Sequence, residues 1–231
     1  MSHNARIDRR TVCAAIVGGG LGLAASSVHA AEGRRARRRQ LPDFAAMKFY
    51  KDDGSFDQDQ AKQGYLALLE YYRYPVNDNI RQNMFVSDFG LKQFAQVGLG
   101  GVLWMADKPG NYSSIEVFLL PDQMIPEHWH VGMEDEQIVP KMESWVVRYG
   151  TTFTYGEGEP TAAIAVKIHD CQAKYVTVRA EKALAPGEVT GTRRTMEKHW
   201  QQAGPEGCIL TEVSSYHDGR AVRFTDPKIT F

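Results

Sequence analysis

The sequence predicts a mainly β domain of the sandwich or barrel kind, preceded by a short helical stretch. Two observations carry this reading. After Phe85 the chain breaks into short runs rich in β-branched and aromatic residues, separated by Gly, Pro, Asn and Asp. Ahead of them, residues 57–74 place Ala61, Tyr65, Leu68, Leu69 and Tyr72 at helical spacing. At 231 residues and 43% apolar, the chain is long enough to bury one core. A net charge of −1 excludes a dominant basic field for nucleic acid. Three cysteines are too few for a disulfide scaffold.

The elements follow in order. Arg9-Arg10, the apolar Gly/Ala-rich stretch 12–25 and the small-residue end Val28-His29-Ala30-Ala31 form a signal peptide over residues 1–31. The paired arginines resemble the twin-arginine type, which exports folded proteins to the periplasm or beyond. The alternative is an uncleaved anchor, but the apolar stretch is short and glycine-rich for a span. Cleavage leaves Cys171 and Cys208, whose pairing in an oxidising compartment stays open. Residues 32–42, with five arginines between Arg34 and Arg39, read as a solvated basic linker. Residues 43–84 read as a helical extension: Ser55 or Asp57 caps the helix over 57–74, Pro75 stops it, and a second short helix covers 77–84. Residues 85–231 form the β domain, with strands expected at 94–105, 112–120, 143–155, 162–168, 174–179 and 208–213.

The chemistry lies between Leu119 and Gly150. In Pro126-Glu127-His128-Trp129-His130 the two histidines stand at i and i+2. On a strand both imidazoles point to one face and Trp129 to the other, so the pair can share a metal ion. Glu143 opens an alternating run in which Trp145 and Val147 share its face. A carboxylate beside two imidazoles favours Mn, Fe or Zn over copper. Lys141, two residues earlier, falls on the same side.

His-x-His, then Glu, six residues and Gly150 resembles the first motif of the cupins, whose fold is a small jelly roll. The resemblance implies a cupin-type jelly roll over 85–231. Asp122 stands where that motif has Gly, and Asp tolerates the positive φ such a turn requires. Glu134 has the usual motif spacing and rivals Glu143. However, no strand begins at Glu134, and residues 131–140 read as an inserted loop. Leu184-Ala185-Pro186-Gly187 resembles the opening of the second cupin motif, and His199 then fits its ligand position ahead of His169 and His217.

A narrower set is similar to the D-lyxose isomerase-like sugar isomerases, which are cupins. It comprises Asp88-Phe89-Gly90, Phe94 and Val97-Gly98-Leu99, then Pro126-x-His128-x-His130, Lys141-Met142-Glu143, Glu212-Val213-Ser214 and Arg223-Phe224. This resemblance implies one divalent ion, usually Mn with Zn or Fe as alternatives, held by His128, His130, Glu143 and His199. It implies interconversion of a small aldose and ketose through an enediol, and a homodimer. Glu212 becomes the candidate base and Lys141 the candidate acid or oxyanion partner. Arg223 is the candidate for holding a sugar hydroxyl. No nucleic-acid partner is expected, nor stable membrane insertion after cleavage. Two alternatives remain open: an Fe-dependent cupin dioxygenase and a non-catalytic periplasmic sugar-binding cupin.

Overall fold

The computed structural model describes residues 40–231. The expected signal peptide and residues 32–39 of the basic linker lie outside these residues. Helix α1 (Gln58–Tyr72) begins where Asp57 accepts a hydrogen bond from the Gln60 amide at 3.0 Å. It ends with Arg73 in the left-handed region at φ 55°, two residues before Pro75. Its buried face carries Ala61, Gly64, Tyr65, Leu68 and Leu69. Helix α2 (Asp78–Asn83) is capped by Asn77, which accepts from the Ile80 amide at 2.9 Å.

Nine strands follow: β1 (Phe85–Ser87), β2 (Leu99–Asp107), β3 (Tyr112–Leu119), β4 (Met124–His130), β5 (Glu143–Gly156), β6 (Ala180–Leu184), β7 (Val189–Gly191), β8 (His199–Ser214) and β9 (Val222–Phe224). All their pairings are antiparallel. Two long strands organise the jelly roll. Residues 208–214 of β8 pair with β3, whereas its first residues, 199–202, pair with β4. Strand β5 accompanies β8 along almost its whole length, with register shifts at Val147/Tyr149 and Gly150/Thr152. At that bend Gly150 and Gly207 both adopt φ 71°, which a side chain at either position would oppose. The two strands therefore cross from one layer to the other. One layer is β1-β2-β3-β8-β5 and the other contains β9-β4-β8-β5.

The helical extension covers the outside of the first layer. Tyr65, Leu68 and Leu69 of α1 share a core with Phe49, Phe94, Val102, Phe118 and Ile209. The Tyr65 hydroxyl donates to Gln123 Oε1 at 2.7 Å inside this core. A second core lies between the layers, with Leu99, Ile115, Val117, Val147 and Leu210. Cys171 and Cys208 are free thiols.

Four strand expectations are corrected. Residues 94–96 form a turn and Val97 makes only an isolated bridge to Met124, so β2 starts at Leu99. Residues 162–168 and 174–179 are irregular. Ile164, Val166, Ile168 and Val178 nevertheless pack against Met124, Tyr155 and Trp200. Their alternation reflects burial of one face. Side chains hold this backbone instead of a ladder: Glu181 accepts from the Ala165 amide, and Glu127 from the Thr177 and Val178 amides. Finally, the last expected strand, 208–213, is only the second half of β8.

Candidate metal centre

Strand alternation delivers the four candidate ligands to the space between the layers. His128 and His130 share the inner face of β4, and His128 pairs with His199 at the start of β8. Glu143 enters from the first residue of β5 in the opposite layer. One ligand atom from each of His128, His130, Glu143 and His199 lies within 4.8 Å of the others. The ring orientations are set locally. His128 Nδ1 sits 2.9 Å from the Pro126 carbonyl and His199 Nδ1 sits 2.8 Å from the Glu197 carbonyl. A carbonyl only accepts, so each Nδ1 carries the proton in these bonds and each Nε2 turns inward.

The inward atoms lack partners of their own. Glu143 Oε1 lies 3.0 Å from His130 Nε2 and 2.7 Å from His199 Nε2. All three atoms are buried, yet none is aligned for a hydrogen bond. Converging buried lone pairs of this kind are costly unless a cation sits among them. Two imidazoles with fixed tautomers, a third imidazole and a carboxylate suit a divalent ion of the Mn, Fe or Zn type.

Charge in the site is compensated. Lys141 Nζ donates to Glu143 Oε2 at 2.6 Å and to Glu212 Oε1 at 2.5 Å. Burial opposes ionisation of Glu143, but Lys141, His130 and His199 outweigh it and hold its carboxyl well below the usual range. Burial also opposes the charge on Lys141, and Glu143 and Glu212 overcome it, raising its proton affinity. Burial pushes His128 well below the ordinary imidazole value, helped by His199 and His130, so its Nε2 lone pair is free. For His199, burial is overcome by Glu143, which raises its affinity for a proton.

The remaining candidates fall elsewhere. Glu134 is exposed in a short turn at Glu134–Glu136, away from the cluster. His169 Nε2 lies 2.8 Å from the Asp122 carbonyl, outside the cluster. Asp122 has φ 58°, the conformation expected at that turn. Arg223 is not brought to the cavity. In β9, Val222 and Phe224 line it, while the Arg223 guanidinium donates outside to the carbonyls of Arg220 and Val222 at 2.7 and 2.8 Å.

Comparison with known proteins is consistent with this geometry. No family model matches the chain. The D-lyxose ketol-isomerase of Cohnella laeviribosi is 39% identical over 144 residues, covering 62% of this chain and 76% of that protein. The D-lyxose/D-mannose isomerase of Thermosediminibacter oceani is 36% identical, covering 64% of this chain and 80% of that protein. The chain belongs to the D-lyxose ketol-isomerase family of aldose–ketose isomerases. Among solved structures, L-ribose isomerase from Acinetobacter sp. DL28 superposes with a TM-score of 0.57 at 14% identity, over 74% of this chain and 92% of that one. L-ribose isomerase from Cellulomonas parahominis gives 0.56 at 13% identity, with 74% and 91% covered. At such identities these two structures speak for the fold alone.

In this ketol-isomerase family member, the cavity beside the cluster has two kinds of wall. Lys141, Glu212, Gln201 and His217 are its polar residues apart from the ligands, and Phe89, Leu99, Val117, Ile125 and Phe224 are among the apolar ones. The sequence indicated Lys141 through its spacing from Glu143 and Glu212 through the family resemblance, but not Gln201 as a cavity residue. His217 was ranked below His199, and the structure sets its ring 6.3 Å from that of His130. Burial, with Lys141 and His130 nearby, pushes His217 down to about 3, so it is neutral at physiological pH. Trp145, facing the same way as Glu143 in the sequence pattern, packs its ring 5.4 Å from that of His199.

Proposed function

We propose that this chain is an exported, metal-dependent isomerase that interconverts a small aldose and its ketose, with a D-lyxose-like sugar as substrate. His128, His130, Glu143 and His199 would hold one divalent ion, with Mn favoured over Zn or Fe. The observation that carries this reading is the convergence of four ligand atoms within 4.8 Å, directly beside the buried Lys141–Glu212 pair. A bound divalent ion supplies stabilisation of negative charge on the sugar's carbonyl and hydroxyl oxygens.

The chain's own residues do the rest. Isomerisation removes the proton from C2 of the open-chain aldose, passes through an enediol and delivers that proton to C1, while the C2 hydroxyl gives up its proton and the C1 oxygen gains one. The Glu212 carboxylate is the proton shuttle, because it is buried and reaches the cavity. Lys141 fixes that carboxylate by a hydrogen bond and donates to oxygen as charge develops. The apolar wall excludes water from the reacting carbons. Kinship with ketol-isomerases favours this reading over the oxygenase and the non-catalytic binding protein.

The test pairs elemental analysis with a ketose assay on D-lyxose, wild type beside His128→Ala. About one Mn, Zn or Fe per chain, absent from the variant along with ketose formation, is the expected result. A metal-free active protein, or a metal-loaded one that forms no ketose, would overturn the proposal. Export and a homodimer belong to the same reading. N-terminal sequencing of the exported form should begin after Ala31, and identical N-termini inside and outside the cell would remove the cleavage claim. Light scattering tests the dimer, which a monomer mass would refute.

A further inference from the structure

The polar groups of the cavity are not evenly spread. Lys141, Glu212 and His217 accompany the ligands, whereas Gln201 stands apart from them. It follows His199 by two residues on β8, so it shares that strand face about 7 Å further along. There it pairs with Ile125 on one side and Thr154 on the other. Its Oε1 is fully buried and has no hydrogen-bond partner. The side chain nonetheless lines the cavity, with Leu99, Val117 and Ile125 among its apolar walls. A buried amide in such surroundings destabilises the fold unless something satisfies it.

We infer that Gln201 is a specificity-determining residue whose side-chain amide hydrogen-bonds the terminal hydroxyl of the bound sugar. This rests on the aldose–ketose reading above, in which the reacting carbons lie at the His128–His199 end. An extended sugar chain then runs along β8 and brings its last carbon to Gln201. The apolar residues around that carbon offer a hydroxyl nothing else to pair with. A site built around one buried amide discriminates strongly against an analogue lacking the matching hydroxyl.

The test compares D-mannose with 6-deoxy-D-mannose, which differ only at the terminal carbon, on the metal-loaded wild type and on Gln201→Met. Methionine keeps the length of the side chain and removes the amide. The wild type should favour D-mannose by about tenfold or more in kcat/KM. In Gln201→Met the D-mannose value should fall by about tenfold, while that for 6-deoxy-D-mannose stays within about twofold. A structural role would lower both values together, and that outcome, or no change in either, overturns the inference. Binding supplies a second readout that needs no turnover: mannitol should raise the melting temperature of the wild type more than 6-deoxymannitol, and Gln201→Met should erase the difference. If neither hexose reacts and D-lyxose also yields no ketose while this binding difference is present, the isomerase reading fails and the role of Gln201 stands. Equal shifts with both alditols would refute the role itself. Gln201→Leu repeats the comparison should the methionine variant fold poorly.

Discussion

Lys141→Met tests the charge balance of the site most directly. The ammonium is buried and bridges two buried carboxylates at 2.6 Å and 2.5 Å. Methionine retains most of the stem, so the perturbation is chiefly the loss of the cation. Removing one member of a buried ionic group costs about 3–5 kcal/mol, because the partner charges remain desolvated and unpaired. With a urea dependence of about 2 kcal/mol per molar, the unfolding midpoint should fall by roughly 2 M. The measurement uses metal-free protein, since a bound divalent ion would replace the missing charge. The pH dependence has a definite sign. In the wild type the proton affinity of Lys141 is raised, so its contribution is complete below the ordinary lysine value of about 10.4 and is lost only as pH rises through the folded value. Between about pH 5 and 8 the wild-type contribution of this group is therefore flat. In the variant, two facing carboxylates can relax by taking up a proton, so its deficit should shrink toward pH 5. A midpoint change worth less than about 1 kcal/mol, or a deficit equal at both pH values, would refute the assigned charge balance.

Three further outcomes follow from the surrounding structure. Gln123→Leu strands the Tyr65 hydroxyl, the Leu120 amide and the Phe94 carbonyl, which its amide joins, and should cost about 3 kcal/mol in chemical denaturation. Unchanged stability would mean that these bonds do not hold α1 to the barrel. Burial pushes the Cys208 thiol up to about 12, so iodoacetamide at pH 8 should leave it unmodified in native protein. Because the unfolded chain loses that proton first, stability should fall as pH rises above the ordinary thiol range. Mass spectrometry showing rapid native alkylation of Cys208 would contradict its burial. Asp122→Gly should change stability by no more than about 1 kcal/mol, since glycine adopts φ 58° freely, whereas Asp122→Val should be clearly worse on thermal melting.

The sequence displayed α1, the shared face of the two histidines and the strand that begins at Glu143, because each rests on a local periodicity. It also exposed the turn at Asp122, where residue type and backbone conformation are directly linked. The segment 162–168 misled for a physical reason. Its alternating apolar residues are half-buried, but in an irregular segment laid over the sheet, and periodicity registers burial without registering hydrogen-bond partners. The first half of β8 was hidden by Gln201, Gln202, Gly204, Pro205 and Gly207, which read as loop residues. Only the long-range pairing with β4 and β5 makes that stretch a strand. Gln201 was overlooked for the same reason, since glutamine is ordinarily a surface residue and nothing local marks it as buried.

Strand β8 carries His199 and Gln201 before its bend and Glu212 after it. Three proposed roles are therefore indexed to one ribbon. Because side chains alternate with a period of two, deleting one residue ahead of His199 and closing the gap by a one-step slide would turn all three to the wrong side together. The two histidines of β4 have no such entanglement with Glu212. Mutational drift should consequently reach this enzyme's substrate preference through point substitutions within β8, while length changes should collect in the segments that flank it.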